Sequence, residues 1–262
     1  YSNSVQQTTD GGYIITGFTE SFGNGETDVW LIRLEGTGEP PYYGPTWHVS
    51  TSGSDSYDGS EESPFATIQH GIDVSSDGDT VLVSTGTYYE NIIWPATNGI
   101  KLIGSGEDYC IIDGTQQAVV IRFDQDLGGI IDTTTVIKSF TIKNGLDVSG
   151  GGIYCYLSSP SLVSLTITNN SAGDGGGIYC SNNCIPSLVN VSITNNSASS
   201  DGGGIFSSNS SPSLENVTII GNTANSSGGG ILFTSNSSSI LKNVTISGNS
   251  ASSNNGGGIS FV

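Results

Sequence analysis

The chain alternates between two textures. Short runs in which apolar and hydroxyl residues take turns are separated by stretches rich in glycine, serine and asparagine. The clearest runs are Leu165-Thr166-Ile167-Thr168, Val191-Ser192-Ile193-Thr194, Val217-Thr218-Ile219-Ile220 and Val244-Thr245-Ile246-Ser247. Alternation with period two, carried by β-branched residues, predicts strands with one buried face. Each run belongs to a longer phrase. Gly-Gly-Gly-Ile recurs at Ile153, Ile178, Ile205, Ile231 and Ile259. The first four are followed by Leu162, Leu188, Leu214 and Leu241, then by Ile167, Ile193, Ile219 and Ile246. Asn170, Asn196, Asn222 and Asn249 close the phrase. The period is near 26 residues, and self-similarity at such a period marks a solenoid.

The spacings divide each phrase into rigid and adjustable parts. Leucine to isoleucine is always five residues, and isoleucine to asparagine always three. Gly-Gly-Gly-Ile to leucine is nine or ten, and asparagine to the next isoleucine eight to ten. Loops absorb insertions and packed strands do not. Two further short strands fit each repeat, one on Ile-Tyr-Cys after the glycines and one around Ser-Leu. No room remains for crossover helices. The predicted fold is an all-β parallel β-helix, each coil pairing with its neighbours about 4.8 Å above and below. Inward columns are expected at the repeat isoleucines, the leucines, Leu165/Val191/Val217/Val244 and Ile167/Ile193/Ile219/Ile246.

Glycine accepts positive φ and close backbone approach, so the glycine triplets suit stacked corners. Asparagine also tolerates the left-handed region, and stacked asparagines can hydrogen-bond along a column. Asn190, Asn216 and Asn243, with Ser164 in the same slot, are expected at a two-residue bend. The Asn170 column marks a strand exit. The pattern extends backwards through Ile137–Gly145 to less regular coils at "IKLIGSG" and "DTVLVSTGTYYENIIW". Before them, Ser63 can cap a helix with Pro64 in its first turn and Phe65, Ile68 and Ile72 on one face. Such a helix reads as an N-terminal cap over open sheet edges. Expected boundaries are a β-hairpin segment over 1–37, a linker over 38–45, the cap over 46–78 and the β-helix over 79–262. The pattern breaks off one strand into a coil, so a longer natural chain is expected at both ends.

These residues carry resemblances. "WHVSTSGSDSYDGSEESPFATIQHGID…GDTVLVSTGTYYENI" resembles the opening of secreted right-handed β-helix proteins of the pectate-lyase-like superfamily. The Gly-Gly-Ile and Ile-x-x-Asn phrases are similar to repeats of chlamydial polymorphic outer-membrane proteins, with isoleucine in place of the usual phenylalanine. "SVQQTTDGGYIITGFTESFGNGETDVWLIRL" resembles one repeat of bacterial and archaeal β-propeller-like surface proteins. The first two resemblances cover about 46–262 and imply the right-handed fold. They do not select an activity, because this fold carries lyases, hydrolases, adhesins and inert stalks alike.

Charge narrows the partners. Twenty-four acidic residues face six basic ones, for a net charge of −18. Nucleic acid and anionic membranes are poor partners for such a chain. No stretch reaches the roughly 18 apolar residues of a membrane span. No cofactor is expected, and Ca²⁺ is the one ion the acidity would suit. Pectate lyases pair Ca²⁺-holding carboxylates with an arginine or lysine base, and polygalacturonases carry paired aspartates with Gly-His-Gly and Arg-x-Lys. None of these strings is present. Residues 150–262 hold one lysine and neither arginine nor histidine. The mixed cluster is Arg122, Asp124 and Asp126 with Lys138 and Lys143, read here as exposed strand and loop charges.

Tyr154, Tyr179 and Phe206 form an outward column, a candidate platform for sugar rings or else a ladder that stiffens the sheet. Cys155 and Cys180 share a repeat slot and Cys184 lies close by, so a disulfide within these three is an alternative to buried thiols. Cys110 has no evident partner. Among eight Asn-x-Ser/Thr sequons, Asn209, Asn225 and Asn236 fall in loops and are the glycan candidates. The expected function is a non-enzymatic secreted or cell-surface β-helix: a stalk, adhesin or filament subunit, stacking on copies of itself and meeting surface carbohydrate. The other reading is a polysaccharide lyase or hydrolase with its site on an outer sheet.

Overall fold

The computed structural model describes residues 2–7, 13–19, 28–34, 44–124, 131–253 and 255–262. Two compact units divide the chain, Tyr1–Tyr43 and Gly44–Val262. Most of the expected linker at 38–45 lies outside the described residues, as does Asp126. In the first unit Tyr13–Thr19 pairs antiparallel with Asp28–Leu34, Tyr13 facing Leu34 and Thr19 facing Asp28. Ser2–Gln7 adds a third antiparallel strand on the other side of Tyr13–Thr19.

The second unit is a parallel β-solenoid of about 6 turns with about 26 residues per turn. Three sheets form its walls. A seven-stranded sheet stacks Ile92–Ile93, Ile121–Asp124, Ile153–Tyr156, Ile178–Ser181, Ile205–Ser208, Ile231–Thr234 and Ile259–Phe261. A second, twelve-stranded sheet runs from Thr46–Val49 through Val136–Lys143, Ser161–Thr168 and Ser187–Thr194 to the last coils. The third wall, of five short strands, was not foreseen: Leu146–Ser149, Ser171–Asp174, Ser197–Ala198, Thr223–Ala224 and Ser250–Ala251. Its signal is the recurring Ser/Thr-Ala pair after each repeat asparagine, in which Ala172, Ala198 and Ala224 are buried.

Register is strict, so identical slots stack. Ile153 faces Ile178, Ile178 faces Ile205, and Leu162, Leu165 and Ile167 face Leu188, Val191 and Ile193. The inward columns are fully buried through the middle coils, while Leu241 in the last coil is 39% exposed. The bend within each long strand is a single left-handed residue: Ser164, Asn190, Asn216 and Asn243 have φ between 50 and 56°. Asn216 donates its amide to Asn190 at 3.1 Å and Asn243 to Asn216 at 3.1 Å.

A second asparagine column lies inside. The Asn170 amide donates to Asn196 Oδ1 at 3.0 Å, Asn196 to Asn222 at 3.0 Å, and Asn222 to Asn249 at 3.0 Å. Each Oδ1 also accepts a backbone N–H from the coil before, from Gly145, Asn170, Asn196 and Asn222 in turn. Each amide also donates to an isoleucine carbonyl, at Ile142, Ile167, Ile193 and Ile219. Asn170, Asn196 and Asn222 are almost wholly buried. A buried amide left unpaired is costly, and this column leaves none unpaired. The glycine triplets close the same corner. Gly175 has φ of 65°. A Cβ on Gly177 would lie 2.6 Å from the Gly204 carbonyl oxygen of the next coil.

At the other end, the helix is Ile68–Asp73, capped by Thr67, whose hydroxyl accepts the His70 N–H at 3.2 Å. This corrects the expected start at Ser63. Phe65 is used as strand instead: its N–H bonds His48 O and its carbonyl accepts Ser50 N–H, both at 2.9 Å. The first turn donates to two carboxylates. Ile68 and Gln69 N–H bond Glu90 at 2.8 and 2.9 Å, and Ala66 and Thr67 N–H bond Asp55, each at 2.9 Å. Gln69 then offers its amide as a surrogate strand, donating to Ile93 O at 3.0 Å and accepting Ile93 N–H at 2.8 Å. Burial pushes the Glu90 carboxyl up, against the pull of its Gln69 and Ile68 hydrogen bonds. Burial also lifts Asp55, but the hydrogen bonds from Thr67 and Ala66 and the charge of His70 outweigh it and hold Asp55 below its usual value.

Asn196→Ala orphans several buried partners and is expected to cost at least about 3 kcal/mol in urea unfolding, whereas Asn216→Gly in the exposed column stays within about 1 kcal/mol. Because its folded pKa is lowered, Asp55 contributes stability that is present above the unfolded carboxylate value, about 3.9, and lost as pH falls through the folded one. Asp55→Asn is therefore less stable than the parent at pH 6, and the gap narrows as the pH falls below 4 in parallel melts.

Candidate binding face

The seven-stranded sheet carries the one continuous aromatic surface among the described residues. Strand alternation turns Ile153, Cys155, Ile178 and Cys180 inward and leaves Tyr154, Tyr179 and Phe206 half-buried on the outside. Parallel register aligns Arg122, Tyr154, Tyr179, Phe206 and Leu232 in one column. The Tyr154 and Tyr179 rings are parallel with centroids 5.4 Å apart, and Tyr179 and Phe206 are parallel at 5.0 Å. The Arg122 guanidinium sits 4.2 Å from the Tyr154 centroid and is held by Asp124 at 3.2 Å.

This geometry decides what the column can do. A sugar that stacks on an aromatic ring needs an open ring face. Here Tyr179 has a ring against each face, and Arg122 covers the outer face of Tyr154. From Arg122 to Phe206 the rings thus meet one another or the guanidinium face to face. The stack stiffens the sheet through offset ring contacts and a cation–π contact, each worth roughly 0.5–1.5 kcal/mol. Burial pushes the Tyr154 hydroxyl up to about 12; the nearby Arg122 charge works against this shift and Asp124 adds to it.

The described members of the mixed charge cluster are divided between two sheets. Arg122 and Asp124 lie on the seven-stranded sheet, and Lys138 and Lys143 on the twelve-stranded one. Lys143 pairs with the buried Asp113 at 3.6 Å. Among the described residues no three His, Cys, Asp or Glu side chains are grouped to hold a metal ion. Asp174 and Asp201 turn their carboxylates along the axis, accepting the N–H of Asp201 at 3.1 Å and of Ser227 at 2.8 Å. The four cysteines are buried free thiols. Of the loop sequons, Asn225 and Asn236 are exposed, and the half-buried Asn209 donates its amide to Asn183 at 3.3 Å. The carboxylates and amide that lock the helix, Asp55, Glu90 and Gln69, were not legible as a group, because they are far apart in sequence and belong to no repeat.

Fold and face together describe an all-β parallel β-solenoid whose polar residues serve the stacking of coils. Comparison with known proteins gives partial matches. Residues 51–95 match the family described as Protein of unknown function (DUF1565). Residues 164–181 and 190–208 match the Chlamydia polymorphic membrane protein repeat. The uncharacterized protein YwoF of Bacillus subtilis (strain 168) is 35% identical over 65 residues, 25% of this chain and 13% of that protein. The chain thus spans about an eighth of the length of that relative. A solved rhamnogalacturonan lyase aligns over 73% of this chain and 74% of its own, with 13% identity and a TM-score of 0.33. No helix among the described residues is long and apolar enough to cross a membrane.

If the aromatic column is a ladder, its central ring matters most. Tyr179→Ala, which removes two ring contacts, is expected to cost about 1–3 kcal/mol in denaturant unfolding, and Tyr179→Phe under about 1 kcal/mol.

Proposed function

We propose that this chain is a structural β-helix displayed at a cell surface, working as a stalk or adhesin rather than as an enzyme. The observation that carries this reading is where its polar residues go. In the regular coils the repeat-slot asparagines, the glycine corners and the carboxylates of Asp174 and Asp201 bond the neighbouring coil rather than converging on a point in solvent. Such a wall is suited to holding length and shape. The repeats shared with Chlamydia polymorphic membrane proteins support a place at an outer membrane or cell surface. In this reading the helix Ile68–Asp73, with Gln69 pairing the backbone of Ile93, closes the N-terminal end of the stack. The edge of the aromatic column and the loops beside it are then the surface offered to carbohydrate, and contact is through hydrogen bonds to the Tyr154 and Tyr179 hydroxyls and to loop side chains rather than ring stacking.

Two measurements test the proposal together. An antibody against residues 136–262 should label intact, unpermeabilised cells that express the full-length protein. The purified chain should leave uronic-acid and neutral polysaccharides uncleaved, with and without Ca²⁺. Labelling only after permeabilisation would remove the surface reading. Cleavage that disappears in Arg122→Ala or Lys138→Ala would make the chain an enzyme.

A further inference from the structure

Three of the four thiols gather in the interior where two coils meet, and they are not equivalent. Cys110 lies in an earlier coil with its sulfur 3.5 Å from the Ser84 carbonyl oxygen. Cys184 is committed twice: its S–H donates to the Ser181 carbonyl at 2.9 Å, and its sulfur accepts the Ser158 N–H at 3.3 Å. Cys155 and Cys180 lie side by side instead. They are register partners on the neighbouring strands Ile153–Tyr156 and Ile178–Ser181, both turned into the interior. The column continues with Phe123 below and Ser207 above, so no third sulfur occupies it. Neighbouring parallel strands lie about 4.8 Å apart, inside the roughly 4.4–6.8 Å window that a disulfide requires between Cα atoms.

We propose that Cys155 and Cys180 are a modification site, oxidised to a disulfide that fastens one coil to the next, while Cys110 and Cys184 remain thiols. The oxidant is a disulfide of low molecular weight or its protein equivalent. The Cys180 thiolate attacks it, forming a mixed disulfide and releasing one thiol. The Cys155 thiolate then attacks the Cys180 sulfur and releases the second. Two S–H bonds are lost, one S–S bond forms, and the two electrons and two protons leave on the two released thiols. Both sulfurs are fully buried in the finished fold, so the exchange belongs to folding, before these coils close. The inference rests on the surface reading only for its oxidising compartment; the pairing itself follows from register.

The test refolds the full chain in a buffer of oxidised and reduced glutathione, then unfolds it in acid, alkylates it and maps the peptides by mass spectrometry. The expected result is adducts on Cys110 and Cys184, a linked peptide pair joining Cys155 to Cys180, and a urea midpoint that falls on reduction. The Cys110→Ser/Cys184→Ser variant should keep the link, and the Cys155→Ala/Cys180→Ala variant should show no midpoint shift on reduction. Four adducts, or a link through Cys184, would overturn the proposal. Either result is independent of cell labelling, so a failed disulfide leaves the surface reading standing, and the reverse holds too.

Discussion

The structure depends on one interaction, the buried asparagine column at the corner between the long strand and the Ser-Ala strand. An amide has two donor hydrogens and two acceptor sites, and in the interior of a solenoid all must be met. Asn196 and Asn222 meet all four, each donating to the asparagine above and to an isoleucine carbonyl of the coil before, and accepting the amide and the backbone N–H of the asparagine below; Asn170 differs only in that its Oδ1 accepts the Gly145 N–H alone. That arrangement works only if every coil presents the same residue at the same height. The asparagine therefore fixes register, and register in turn aligns isoleucine on isoleucine and tyrosine on tyrosine.

The glycine corner follows from the same constraint. With coils held one strand spacing apart, the backbone of one corner rests against the carbonyls of the next, leaving no space for a Cβ at Gly152, Gly177 or Gly204. The outer faces inherit the alignment as well. Rings on the seven-stranded sheet stack because their backbones are in register, and the same alignment sets Cys155 beside Cys180. Only the connecting loops are free to vary, and they hold the exposed sequons Asn225 and Asn236. A wall of this kind keeps its corners fixed and leaves variety to its loops.

Much of this was legible in the sequence, for a physical reason. A repeat writes each column several times, so the inward positions Leu162, Leu165 and Ile167 and the outward Tyr154–Tyr179–Phe206 column could be read from spacing alone. The five-stranded wall was missed because its strands are only two to four residues long and, after Leu146–Ser149, consist of small or polar residues that carry little strand propensity; they form because their neighbours do. The helix start was misplaced because Ser63-Pro64 looks like a cap, while tertiary pairing with Thr46–Val49 draws Phe65 into an extended bridge. The roles of Glu90 and Gln69 depend on contacts more than twenty residues apart, and nothing local announces them. The aromatic column was found as a column, but whether its ring faces were open could be decided only by geometry.

The most direct measurement of the central claim is native-state amide hydrogen exchange, resolved at the backbone N–H groups of Gly145, Asn170, Asn196 and Asn222. Each of these donates to an asparagine Oδ1 of the next coil. If the buried column sets register, these four amides exchange together, among the slowest in the chain, and only through unfolding of the coils as a unit. Exchange at the rate of the loop amides, or at four unrelated rates, would contradict the account.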